Sequence, residues 1–552
     1  MRFQIDHDWQ GNMSTTQARV GETAKTQLLL LLCLFWVFIG LVGHAPWKPI
    51  ESNSISAIKQ IIEHREFVAP LAYSQTTLES PPLYFLTAAA SAQLFSPLLS
   101  MHDGARLANS LWIAIVLLMV GMSGRELWSK GVGRHATFIM IGTIGLVMTA
   151  HSLTPEIANL ASCAAGFYAL ALSKRRPWRA SGLLGLALSV GFLSHGILPL
   201  GILLSTALIL MIVFKPWRTT SFLKVVSTSL LIAALPITVW LSLLYVNEPS
   251  LFFSWIQKKS QLFSHFHGVY FGKMLIWYAW PALPLAFWGL WRNRQQLLCK
   301  PKFQLMLVFF ACAYVLISFI AEPKDLNALV LLLPLVALGA GSVEHLKRGA
   351  AAALNWFGIS LFGIIGSLVW LGWIAMMTGH PAKIKERMQF LSATNEIPFQ
   401  WFAFLIALFL TIVWLFTCVR AKQTNKSTVT NWAVGMTFGW GLLMTLWLPM
   451  LDSAKSYDKV FTSLKVATPS QYTCMNSLNV GKSQMLLLNY HTNIALKPID
   501  GNQPLDCDLY LMQDERGVPK MQPSDEWRLI WQGKRAADRR ESFRLFQRVS
   551  AV

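Results

Sequence analysis

The run Leu28–Val42 contains no charged side chain, and runs like it recur as far as residue 449. A helix of about 20 apolar residues crosses the roughly 30 Å hydrocarbon core of a bilayer. In lipid every backbone N–H and C=O must be satisfied within its own segment, which makes such runs helices. Hydrophobic residues are 54% of the 552 and charged residues only 13%, more apolar surface than a water-soluble chain can bury. No period-2 alternation of the β-barrel kind is present.

The runs predict thirteen spans, at 27–45, 105–127, 135–150, 157–173, 180–196, 198–214, 225–245, 273–291, 303–321, 327–343, 356–377, 399–419 and 429–449. The stretch 81–99 is also apolar but carries Pro81, Pro82 and Pro97. It reads as a helix lying in the membrane interface. The first 26 residues are a polar tail with no cleavable signal.

Basic residues set the orientation. With the N-terminus inside, the cytoplasmic loops hold Arg125, Lys130 and Arg134, then Lys174, Arg175, Arg176 and Arg179. Lys215, Arg218 and Lys224, then Arg292, Arg294, Lys300 and Lys302 follow on the same side, as do Lys347, Arg348, Arg420, Lys422 and Lys426. The opposite turns 151–156 and 194–199 have no Lys or Arg. The net charge of +20 is therefore a topology signal. Its division among short loops argues against nucleic-acid binding.

The long extramembrane segments all fall on one side: loop 46–104, loop 246–272, the turn 322–326, loop 378–398 and the tail 450–552. The chain thus divides into a cytoplasmic tail 1–26, a membrane domain 27–449 and a C-terminal domain 450–552. Strand-like runs Met485–Leu488, Leu509–Met512, Trp527–Trp531 and Ser542–Gln547 make the tail a small α/β or mostly β domain. Cys474 and Cys507 are its only cysteines, and an oxidising compartment allows them to pair. No zinc-ligand spacing, phosphate loop, dinucleotide fingerprint or serine elbow is present, and metal dependence stays open.

The polar chemistry gathers on the loop side. Ile55, Ile58, Ile61 and Ile62 repeat at helical spacing, with Ser52 or Asn53 as the predicted cap. That places Glu51 at a helix start, where a carboxylate serves either the helix dipole or a reaction. Glu79, Tyr84 and Arg106 follow. Glu156 begins another helix behind His151-Ser-Leu-Thr-Pro155, with the same two readings. His195 ends the fifth span, where a histidine is an interface residue or a ligand contact. Glu322-Pro-Lys324-Asp325 packs three charges into one turn, either solvated or meeting an anionic head group. Carboxylates and cations together at a membrane surface suit a lipid-phosphate substrate: cations hold phosphate and a carboxylate activates an acceptor.

Trp47-Lys48-Pro49-Ile50-Glu51, continuing to Phe67-Val68-Ala69-Pro70, resembles the Trp-x-Pro-Asp-Glu entry to the first periplasmic loop of GT-C type membrane glycosyltransferases. Glu79-Ser80-Pro81-Pro82-Leu83-Tyr84 is similar to their Glu-Lys-Pro-Pro-Leu-Tyr element. Pro281–Trp288, Asp325–Leu329 and Asp538–Arg544 match in order. The resemblance is strongest to bacterial relatives of the lipid A aminoarabinose transferase and of protein O-mannosyltransferases. It implies a GT-C-like, all-α polytopic protein of the bacterial inner membrane with a periplasmic C-terminal domain. It also implies transfer, usually with inversion, of a sugar from a polyprenyl-phosphate donor to lipid A, protein or another glycan. The loop-one aspartate of the family acts as base or acceptor-orienting group, and basic residues bind the donor phosphate.

Three positions depart from that pattern. Ile50 replaces the aspartate, Ser80 the lysine of the Glu-Lys-Pro element, and His195 a lysine near the end of span five. Glu156 keeps the acidic position of span four if a small gap is allowed. Glu51 and Glu156 are then the candidate catalytic carboxylates. Glu79, Tyr84, Arg106, His195 and Lys324 are the candidate substrate contacts. A catalytically inactive relative that binds polyprenyl lipid or partners another envelope enzyme is the second reading. A transporter or lipid flippase is the third, although its internal repeats are not visible.

Overall fold

A computed structural model describes residues 22–73, 77–260, 266–392, 397–420, 425–499, 506–515, 524, 526–535, 538 and 541–549. The polar tail through residue 21, Lys422, and Arg539-Arg540 of the last family-like motif lie outside them.

Helix α1 (Glu22–Phe38) leads into the first long loop, which carries α2 (Ile50–His64) and α3 (Leu83–Phe95). The bundle continues with α4 (Met101–Leu127), α5 (Val132–Ile141), α6 (Ile144–Ala150), α7 (Glu156–Leu172) and α8 (Pro177–His195). Next come α9 (Ile197–Val213), α10 (Thr220–Asn247), α11 (Pro249–Ser260), α12 (Gly268–Tyr278), α13 (Ala282–Arg292) and α14 (Pro301–Ile320). A 3₁₀ stretch, Asp325–Leu331, enters α15 (Leu332–Ser342). Then follow α16 (Arg348–Thr378), α17 (Ala382–Ser392), α18 (Trp401–Arg420), α19 (Asn425–Leu446) and α20 (Leu448–Lys455).

Every predicted span is helical, but the count of thirteen is not reproduced. Among the described residues six helices are long and apolar enough to cross a membrane, or eight if two bent pairs each make one span. The other segments fold as shorter pieces. Helices α7 and α9 have 17 residues each, about 25 Å at 1.5 Å per residue. The segment 273–291 is split at Trp280–Pro281 into α12 and α13. Helices α5 and α6 meet at 65°. At that bend Trp432 packs on Gly142 and donates to its carbonyl at 2.9 Å, where a Cβ on residue 142 would lie 2.5 Å from the indole.

Burial separates the centre of the bundle from its rim. The span containing α15 is 89% buried and α18 only 11%, so α15 is wrapped by protein while α18 faces outward. Helix α15 packs on α4, α5, α13 and α14, and α7 packs on α4 and α8.

The C-terminal domain contains α21 (Asp458–Ala467), β1 (Met475–Leu478), α22 (Lys482–Thr492), β2 (Leu496–Pro498), β3 (Leu509–Glu515), β4 (Trp527–Gly533) and β5 (Glu541–Arg548). Its five strands run in the order β2-β1-β3-β5-β4. The first three are parallel, with Met475 opposite both Leu496 and Leu509. Strands β5 and β4 are antiparallel additions, with Leu511 opposite Leu545 and a bulge at Leu529–Trp531. The domain is α/β. The run Met485–Leu488, read as a strand, lies instead in α22, where Leu486, Leu487 and Leu488 are all buried. Three successive buried leucines fit a covered helix as well as a strand, and a run that short carries no period to separate the two. Cys474 and Cys507 are joined across the start of the sheet.

One continuous core unites the tail and the bundle: Tyr457, Phe461, Leu487 and Phe543 belong to the same cluster as Tyr84 and Leu153. The tail is packed onto the membrane domain, and α22 rests on α2.

Candidate active site at the loop face

Helix α2 starts one residue before Glu51, with Pro49 at its N-cap. Neither Ser52 nor Asn53 caps it. The Ser52 hydroxyl donates to the Pro49 carbonyl, and Asn53 Nδ2 donates to Glu79. Starting the helix at Ile50 puts Glu51 in the first turn, pointing into protein.

The Glu51 carboxylate is buried and fully engaged. Arg106 Nε donates to Oε1 and Nη2 to Oε2, both at 2.8 Å. The Leu153 N–H donates to Oε1 and the Trp47 N–H to Oε2, each at 2.9 Å. Burial pushes this carboxyl up, but the charge and hydrogen bonds of Arg106, with His44 and the Leu153 amide, hold it at about 2. Arg106 is equally occupied, donating to the His44 and Ala45 carbonyls and to Asp103 as well. Four chain segments converge on one buried ion pair: the exit of α1, the start of α2, α4 and the turn before α7. Tyr84 extends this frame. Its hydroxyl donates to Asn109 Oδ1 at 2.9 Å and accepts the Thr154 N–H at 2.8 Å, and the residue has no exposed surface.

Glu156 is placed differently. It opens α7 half-buried. Its Oε2 accepts the Thr154 hydroxyl, and no described residue bonds Oε1. Lys324 stands in the neighbouring turn, paired with Glu322 at 2.7 Å. Burial lowers the Lys324 ammonium, but Glu322 and the charges of Glu156 and Glu79 together raise it above its ordinary value. Glu79, Glu156 and Lys324 thus form one electrostatic cluster on the loop face. Glu79 accepts from Asn53 at 3.0 Å and from Lys482 of the C-terminal domain at 2.7 Å. His195 ends α8 half-buried. The next residue, Gly196, has φ of +85° and packs against Pro81 and Trp255, which sets the His195 turn beside the Glu79-Ser80-Pro81 segment.

The structure therefore sorts the seven candidates into two groups. Glu51, Tyr84 and Arg106 make an inner frame: Glu51 and Arg106 bond each other and the backbone, and Tyr84 bonds Asn109 and the Thr154 amide. Glu79, Glu156 and Lys324 lie outside that frame, and His195 lies at the turn beside the Glu79-Ser80-Pro81 segment.

Sequence reasoning missed Asp103, which ties Arg106 to the Gly43 amide, and Asp452, which accepts from Ala45 N and Trp47 Nε1, each at 3.0 Å. It also missed the clamp between loop one and the tail. Lys48 Nζ reaches both oxygens of Glu541 at 3.0 Å. Lys59 bonds Asn489 O and Asn493, and Tyr73 the Leu496 carbonyl. These partners lie hundreds of residues apart, so no local pattern in the sequence joined them. Among the described residues no group of three His, Cys, Asp or Glu is arranged to hold a metal.

No protein-family model and no curated protein matches the sequence. Solved structures do. ArnT from Cupriavidus metallidurans bound to undecaprenyl phosphate aligns with a TM-score of 0.67 at 14% identity, over 95% of this chain and 98% of that one. The same protein in the apo state gives 0.67 at 13% identity with the same coverage. The oligosaccharyltransferase AglB from Archaeoglobus fulgidus aligns at 9% identity with a TM-score of 0.45, over 86% of this chain and 64% of that one. A polytopic helical bundle with a small α/β tail superposes on ArnT along nearly its whole length, so this chain has the fold of that protein.

Proposed function

We propose that the protein transfers a sugar from a polyprenyl-phosphate donor to an acceptor on the loop face, with Glu156 as the activating carboxylate. The observation that carries this reading is the contrast between two carboxylates in an ArnT-like fold. Glu51 has four hydrogen bonds and a carboxyl held at about 2. Glu156 keeps one oxygen without a described partner and lies in the field of Lys324. A general base needs an open lone pair within reach of the proton it takes. Glu51 then serves as a positioning residue, with Arg106 and Tyr84.

In this mechanism the acceptor hydroxyl or amine gives its proton to Glu156 as its heteroatom bonds the sugar C1. The C1–O bond to phosphate breaks, and polyprenyl phosphate leaves with both electrons of that bond. Lys324 offsets the charge developing on the phosphate, and His195 donates to it. Glu79 orients the acceptor. That the structurally similar ArnT is known bound to undecaprenyl phosphate supports a lipid-phosphate donor. Lipid A, a protein and a glycan all offer suitable acceptor groups. The loop face is then the periplasmic side of a bacterial inner membrane, with the N-terminus in the cytoplasm.

A second reading has one observation in its favour: Ile50 stands where the family-like motif has aspartate, and Glu51 beside it is fully paired. On that reading the chain binds polyprenyl lipid without turning it over. Purified protein incubated with a polyprenyl-phosphate sugar and an envelope lipid extract separates the two. Release of free polyprenyl phosphate that is lost in Glu156→Gln supports transfer. Tight donor binding with no release supports the inactive relative.

A further inference from the structure

On the opposite flank of loop one, two cavities meet. The first is a groove of about 900 Å³ bounded by α1, α18, α19 and α20. Its walls include Leu34, Phe38, Phe402 and Met444. Leu34 is 56% and Phe402 79% exposed, so the groove opens sideways toward lipid rather than into the protein. Helices α1 and α18 both pack on α19, which forms its floor. The second is a polar chamber of about 480 Å³ beneath α22, walled by Lys59, Glu63, His102, Tyr490 and His491. Gly43, Asp452 and Asp458 line both cavities, so the two adjoin there.

Ser453, Ser456 and Lys459 line the groove and not the chamber. Asp452 and Asp458 form the neck between the two. Beyond them the chamber adds Glu63, 4.0 Å from Lys59, and Asp103, which is paired with Arg106. The groove thus joins an apolar, lipid-facing wall to a polar end that carries one lysine, two serine hydroxyls and two carboxylates. Those groups complement an acyl chain, a phosphodiester and an ammonium.

We propose that the groove is a second lipid site, separate from the Glu79–Glu156–Lys324 cluster, and that it takes a phospholipid whose head group ends in a primary ammonium. The acyl chain lies along α1 and α18. The phosphodiester meets Lys459, Ser453 and Ser456, and the ammonium meets the free side of Asp452 and that of Asp458, whose Oδ1 faces His491 Nδ1 at 3.2 Å. An anionic lipid ending in hydroxyls meets the same carboxylates without a positive charge and binds less tightly. Because Asp452 also holds Ala45 and Trp47 at the start of loop one, the head group sits directly against the frame around Glu51.

The test uses full-length protein in nanodiscs of equal phosphatidylethanolamine and phosphatidylglycerol, followed by native mass spectrometry of the lipid kept after transfer to mild detergent. A charge-assisted contact to a carboxylate predicts retained phosphatidylethanolamine in excess of phosphatidylglycerol by about tenfold or more. Ala403→Trp, which fills the lipid-facing groove, is expected to abolish retention. Leu34→Trp on the opposite wall does the same and serves if the first variant does not fold. Asp458→Asn is expected to keep a lipid bound but erase the preference. Equal retention of the two lipids, a preference for phosphatidylglycerol, or unchanged retention in the folded Trp variants would overturn the proposal.

Discussion

Glu51 and Arg106 form a two-point ion pair, 2.8 Å at each contact, with 2% and 0% of their side chains exposed. Two buried charges are costly to desolvate, and here every lone pair and N–H around them is used. The pair ties the first extramembrane loop to α4 and to the turn that presents Glu156. It is a structural joint beneath the proposed site, so damage to it is expected to be read first in the fold.

Removing one partner of a buried pair typically costs about 3–5 kcal/mol. Glu51→Gln is therefore expected to lower the thermal midpoint of the purified protein, with activity lost in step with the folded fraction. Arg106→Lys keeps the charge but not the fork and is expected to fall between. Thermal unfolding followed by intrinsic fluorescence reads both. A Glu51→Gln protein with native stability and no activity would return Glu51 to the chemistry.

The same pair sets an acid limit. The Glu51 carboxyl is held at about 2 in the folded protein, against an ordinary value of 4.5. A depressed carboxyl contributes stability that is present above its unfolded value. That stability is lost as pH falls from about 4.5 through 2 and amounts to something on the order of 3 kcal/mol. Unfolding midpoints measured from pH 6 to 2 are expected to drop more steeply in the native protein than in Glu51→Gln, which has no proton to take up there. Parallel curves would contradict this.

Glu156 should behave in the opposite way. Its one described hydrogen bond is to the Thr154 hydroxyl, so Glu156→Gln is expected to move stability by less than about 1 kcal/mol. Loss of a general base lowers turnover by about 10²- to 10⁴-fold. Lys324→Met is expected to lower kcat more than it raises KM for the lipid-linked sugar, because the charge that the lysine offsets develops as the phosphate leaves. Steady-state kinetics with the thermal midpoint as control decides both.

The tail domain is held on loop one by Lys48 and Glu541, 25% and 6% exposed. Lys48→Met removes the nearer of the two cations beside the Glu541 carboxylate and leaves Arg535, 3.7 Å away. The partial exposure of Lys48 reduces the cost to about 1–3 kcal/mol. Tyr457 and Gln484 still donate to Glu541, so the tail is expected to stay folded but loosen where it meets loop one. Faster hydrogen exchange in α21 and β5, with β1 and β3 unchanged, is the expected signature.

Much of the architecture was legible from hydrophobicity. Segments without charge had to be helices, and every predicted span is one. Their number as full spans was not, because where a long apolar run breaks depends on packing. Trp432 against Gly142 and the division at Trp280–Pro281 are three-dimensional events. The short run Met485–Leu488 was misread because a few apolar residues carry no period. The Cys474–Cys507 pairing was legible because the tail offers no other choice. Glu51 and Glu156 looked alike in the sequence, each at a predicted helix start. Only the fold brings Arg106 and the Leu153 amide onto one of them.

The central claim is that this chain transfers a sugar with Glu156 as its base. Its most direct test is mass spectrometry of lipid A and envelope glycans from a deletion strain complemented with native protein or with Glu156→Gln. The account predicts a sugar modification that disappears on deletion, returns with native protein and stays absent with Glu156→Gln at equal expression. A modification restored equally by both proteins, or no modification that depends on the chain at all, would contradict it.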